Sequence, residues 1–64
     1  MKVTLTKLVQ RIREEFEEAA GLRVTVVEAA QFFGLDVETC EQVLTELYQV
    51  GFLAKDDERR YRRL

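Results

Sequence analysis

The residues best equipped for chemistry lie at the end of the chain. Lys55, Arg59, Arg60, Arg62 and Arg63 place five cations within nine positions, around a single aromatic, Tyr61. Guanidinium groups in that density suit phosphate oxygens, which accept from their fixed fork of N–H donors. A second set lies upstream. Glu38, Thr39, Gln42, Thr45, Glu46 and Gln49 recur at helical spacing, and such polar side chains can meet base edges in a major groove. A solvated helix face and a charged, aggregation-resistant edge strand are the plainer readings of the two sets. Catalytic chemistry has little to work with. The chain has no histidine and one cysteine, Cys40, so neither an imidazole base nor a Cys/His metal site is available. Cys40 falls between apolar positions of a helix and reads as a buried core thiol. Acid pairs such as Glu14-Glu15 and Glu17-Glu18 belong to a solvated helix face, and a chain this small offers no deep pocket. The expectation is a protein that is not an enzyme and uses no metal or cofactor.

Charge is segregated along the chain. Residues 1–54 carry five bases against nine acids, a net of −4, while residues 55–64 carry five bases against three acids, a net of +2. An anionic partner at one edge of the molecule suits that distribution. Apolar residues make up 47% and charged residues 34%, a folding composition rather than a disordered one. Sixty-four residues allow one domain, residues 1–64. The longest apolar run falls well short of the roughly 20 residues that span a bilayer, and the start lacks an apolar leader. No membrane association and a cytoplasmic location are therefore expected.

Periodicity supplies the elements that must position these groups. Leu5, Leu8, Val9, Ile12, Phe16 and Ala19 share one helical stripe, predicting a first helix over about residues 5–20 with Gly21 as the left-handed residue that ends it. Leu22-Arg23-Val24 reads as a minimal strand. Thr25-Val26-Val27-Glu28 fits a capping box, opening a helix over residues 26–33 that stops at Gly34. Asp36 is the next N-cap. From there Val37, Cys40, Val43, Leu44, Leu47 and Tyr48 face inward along a third helix closed by Gly51. Phe52–Lys55 and Arg60–Leu64 read as two strands around the polar turn 56–59. The fold class expected is mainly α with a small β-hairpin, in the order helix-strand-helix-helix-hairpin.

The second and third helices are joined only by Gly34-Leu35-Asp36, a helix-turn-helix connection. At this point the chain resembles the bacterial winged helix-turn-helix family over about residues 5–64. Residues 24–36 are similar to its strand, second helix and turn, and residues 37–47 to its recognition helix. Gln49-Val50-Gly51-Phe52-Leu53 resembles its exit into the wing, and Arg60-Tyr61-Arg62 its returning wing strand. Two departures stand out. Asp57-Glu58 occupies the wing tip where a glycine is common, and the recognition helix carries no Lys or Arg.

The resemblance implies a module that binds double-stranded DNA in transcription regulation, with the third helix near the major groove and the wing on the backbone. The contact residues would be Thr25, Glu38, Thr39, Gln42, Thr45, Glu46, Lys55, Arg59, Arg60, Arg62 and Arg63. Acids facing a polyanion oppose binding, so the wing arginines, Arg60 and Arg62 among them, should matter more than the third helix. A winged helix serving as a protein-interaction module without DNA binding is the alternative, and a structural piece of a larger assembly a third. A homodimer through the first helix is also expected, using Met1, Val3 and pairs such as Arg11 or Arg13 with Glu14 or Glu18.

Overall fold

The computed structural model describes residues 5–64. Helix α1 spans Leu5–Glu18, strand β1 Arg23–Val24, helix α2 Val26–Phe33, helix α3 Val37–Gln49, and strands β2 and β3 Leu53–Lys55 and Tyr61–Arg63. The order helix-strand-helix-helix-hairpin expected from periodicity is the order observed. On α1 the stripe works as predicted: Ile12 and Phe16 are buried, with Leu8 and Val9 packed beside them. Its end differs. The helix stops two residues early, Ala19 is exposed, and Gly21 is not left-handed. The chain instead reverses through a turn in which the Leu22 N–H donates to the Ala19 carbonyl at 2.9 Å. That turn lets Leu22 fold back on the core and carries the chain into β1.

The helix-turn-helix is set by local hydrogen bonds. The Thr25 hydroxyl accepts from the Glu28 N–H at 3.2 Å, while the Thr25 N–H donates to Glu28 Oε1 at 3.0 Å, completing the capping box. At the other end of α2, Gly34 has φ +71° and the Leu35 N–H reaches the Ala30 carbonyl at 2.9 Å. A side chain there would be strained, and the turn follows from its absence. Ala29 and Ala30 are buried and small, so α2 can lie close to α3. Asp36 Oδ2 then accepts from the Thr39 N–H at 3.0 Å and opens α3.

Helix α3 buries Cys40, Val43, Leu44 and Leu47. Val37 and Tyr48, expected on the same inward face, are 47% and 49% exposed. They occupy the first and last turns, where the neighbouring helices no longer cover the stripe. The helix ends with Gly51 at φ +83°, its N–H on the Tyr48 carbonyl (3.1 Å) and that of Phe52 on Leu47 (3.0 Å). This paired closure satisfies two carbonyls and aims the chain directly into β2.

The sheet is antiparallel in the order β1-β3-β2. Its strands are shorter than predicted, and the short segment before α2 is paired: Val24 faces Tyr61 and Arg23 faces Arg62. On the other side Leu53, Ala54 and Lys55 face Arg63, Arg62 and Tyr61. Val24, Leu53 and Tyr61 turn one face of the sheet onto the helices and join Ile12, Phe16, Ala29, Ala30, Cys40, Val43, Leu44 and Leu47 in one core. None of the described helices is long and apolar enough to cross a membrane.

The core depends on α1 lying across α3, with Phe16 and Leu44 both fully inaccessible. Leu44→Ala should cost about 2–5 kcal/mol, a large share of what a domain of this size has. Chemical denaturation checks it, and an unchanged midpoint would show that the inward face of α3 is misassigned.

Candidate nucleic-acid interface

With Val43, Leu44 and Leu47 directed inward, α3 presents Glu38, Gln42, Glu46 and Gln49 to solvent, while Thr39 and Thr45 are half-buried. Glu41 is exposed as well and was missed among the candidates, although it stands three residues after Glu38 on the same side. Leu5 of α1 completes a shallow groove along this face, lined by Glu38, Glu41, Gln42, Thr45, Glu46 and Gln49. The exposed charges of α3 are thus all negative.

The hairpin distributes its cations in several directions. Strand alternation sends Tyr61 inward, edge-on to Tyr48 with ring centroids 6.4 Å apart. The Lys55 ammonium lies 5.2 Å from the Tyr61 ring and 5.9 Å from that of Tyr48. Arg63 reaches the Phe52 ring at 5.7 Å, which Arg13 of α1 approaches at 4.9 Å. These contacts fix each stem and leave the charge available to an anion. Arg60 is different. Its Nη1 donates to Glu28 Oε1 at 2.9 Å, and its Nε lies 3.4 Å from Glu58 Oε1. Arg60 therefore ties the wing to the capping box of α2 and shares its charge with two carboxylates. Arg62 stands on the outer sheet face opposite Arg23, a cation absent from the sequence-based candidates.

Two of the candidate regions come together. Thr25, Val26 and Val27 at the start of α2, Glu41 of α3, and Lys55, Glu58, Arg59 and Tyr61 of the wing line one open cleft. Thr25, Lys55 and Arg59 are thereby brought beside the exposed side of α3, whereas Arg62 lies on the opposite face of the sheet. The Thr25 hydroxyl accepts one bond in the cap, and its proton has no acceptor among the described residues.

The wing tip explains itself without glycine. Asp56 Oδ1 accepts from the N–H groups of Glu58 (2.9 Å) and Arg60 (3.0 Å), and the Arg59 N–H closes the turn on the Asp56 carbonyl at 3.0 Å. Arg59 takes the left-handed position usual for glycine, at φ +64°. A cation is held at the tip at a backbone cost that glycine would avoid.

The backbone N–H of Arg60, foremost, holds the Asp56 carboxyl below its ordinary value, and that of Thr39 does the same for Asp36. Burial pushes the Cys40 thiol up, and the charge of Asp36 adds to it, in keeping with a core thiol. Among the described residues no group of three His, Cys, Asp or Glu side chains is placed to hold a metal ion. No family model, curated protein or solved structure matches the chain.

Asp36 and Asp56 favour folding fully above their ordinary value of 3.8 and lose that contribution as the pH falls through their lower folded values. Thermal melts should show a decline in stability below about pH 4 that is shallower in Asp36→Asn and Asp56→Asn. Identical acid limbs in the parent and both variants would show that these two carboxylates do not anchor helix and wing.

Proposed function

We propose that the chain is a winged-helix module that binds double-stranded DNA, holding the backbone with its wing while α3 offers Gln42, Thr45 and Gln49 toward the groove. One observation carries the reading. Of the five hairpin cations only Arg60 has an ion pair within the chain; Lys55, Arg59, Arg62 and Arg63 have none among the described residues, and neither does Arg23. Cations without internal partners, gathered on one small sheet, are the electrostatic footprint of a polyanion contact. The acids of α3 do not supply affinity. They can accept from cytosine amino groups only where the wing has already brought the duplex close. A role in transcription regulation and a cytoplasmic location accompany this reading.

A protein-interaction module is the second reading, favoured by the uniformly acidic exposed charge of α3 and by Val27, Phe32 and Val37, which are 55%, 62% and 47% exposed nearby. Self-association through α1 belongs to the proposal as well. Arg13 is drawn to Glu17 at 3.5 Å and to Phe52, which leaves Arg11 as the base to face an acid of a second copy. Met1 and Val3, expected at that contact, lie outside the described residues. Sedimentation over a hundredfold concentration range should show mass rising above the 7.5 kDa of one chain; a constant 7.5 kDa would leave a monomer.

Binding of a labelled duplex, followed by anisotropy across salt concentrations, tests the main reading. About four to five phosphate contacts give a slope of log K against log salt near −4. Arg59→Gln should flatten that slope by about 1 without lowering the melting temperature. A parent protein that retains no duplex at low salt would exclude DNA as the partner and leave the protein-interaction reading.

A further inference from the structure

Alternation along the strands turns Val24, Leu53 and Tyr61 to the core, so Arg23, Ala54 and Arg62 share the outer face of the sheet. Arg23 and Arg62 are direct cross-strand partners, which places their Cα atoms about 4.5–5.5 Å apart. Like charges in that relation destabilise a strand pair. On the other side of the half-buried Arg62 stands Ala54, which has no charge to offset the guanidinium. Neither arginine has a carboxylate within ion-pair distance among the described residues. Asp56 is near enough to feel the charge of Arg23 and offsets part of it, but from beyond ion-pair distance. Arg60 makes the contrast. It stands two residues before Arg62, just ahead of β3, and is compensated by Glu28 and Glu58.

We infer that Arg23 and Arg62 form a single phosphate site, two guanidinium forks converging on one backbone phosphate of a duplex at the outer face of the sheet. The inference rests on the DNA-binding reading and deepens it, adding a contact from β1 on the side of the wing away from α3. A phosphate between the two forks replaces repulsion with charge-assisted hydrogen bonds to both. The bound state then relieves what the free state tolerates. The wing would hold the duplex by both of its faces, with Lys55 and Arg59 toward the α3 cleft and Arg23 and Arg62 behind.

The test compares the full chain with Arg23→Gln, Arg62→Gln and the double variant, using a labelled DNA duplex across salt and thermal melting at low salt. Salt dependence counts phosphates held rather than arginines, and this phosphate is held only by the two forks together. Each single variant should lose affinity about three- to tenfold and flatten the slope by about 1, and the double variant should flatten it no further. The melting temperature of each single variant at low salt should hold or rise, because a like-charge contact has been removed. An unchanged slope in Arg23→Gln overturns the site while leaving the DNA reading intact. So does a double variant flattened by about 2, which means two separate phosphates, or a melting temperature that falls together with affinity, which means a structural role. Absence of binding by the parent overturns the DNA reading and this site with it.

Discussion

Tyr61 sits 4% exposed in the middle strand of the sheet, with Val24 opposite it on one side and Lys55 on the other. A two-residue β1 has no existence apart from β3, and a hairpin of three-residue strands is at best marginal in water. Both are held because the central strand gives its one aromatic to the core and pins the sheet to the helices. The constraint is severe in so basic a segment. Arg62 must go to the outer face, and Arg63 must escape along Phe52. The directions of the strand cations follow from the inward direction of Tyr61, and that of Arg59 from the turn at Asp56.

A second tie sets the wing against the helix-turn-helix. Glu28 Oε1 accepts from both the Thr25 amide and Arg60, so one carboxylate caps α2 and anchors the hairpin. Pairs as exposed as this contribute little to stability. The value of this one lies in geometry: it fixes the side of the cleft on which Lys55 and Arg59 stand. The charge segregation along the chain thus becomes a partial segregation in space, with acids over α1 and α3, where Lys7 and Arg11 also lie, and a denser group of unpaired bases on the sheet and its turn. Affinity for a polyanion would come from the sheet alone, since phosphate contact supplies most of it. In the proposed complex α3 would be left to discriminate rather than to attract.

Much of this was legible because it is local. The capping box at Thr25 and Glu28, the cap at Asp36, and the glycines ending α2 and α3 are each decided within six residues, and each was read correctly. The early end of α1 was not, since the pull on Leu22 comes from a core assembled elsewhere. Val37 and Tyr48 carried the right period but lie past the edge of the packing partner, which periodicity does not report. Glu41 had a readable signal in its spacing from Glu38. Arg23 had none. Its pairing with Arg62 spans 39 positions of chain, and the bridge from Arg60 to Glu28 spans 32. Both exist only because β3 enters the sheet between its neighbours, a fact of topology rather than of pattern.

Mapping backbone amide chemical shifts of the labelled protein, by NMR at low salt as a DNA duplex is added, tests the central claim most directly. Shifts concentrated in residues 55–63, at Arg23 and along the exposed side of α3, with α1 quiet, are the predicted result. Shifts confined to α1, or none anywhere, would contradict an account in which the central strand directs the cations of this chain toward a nucleic acid.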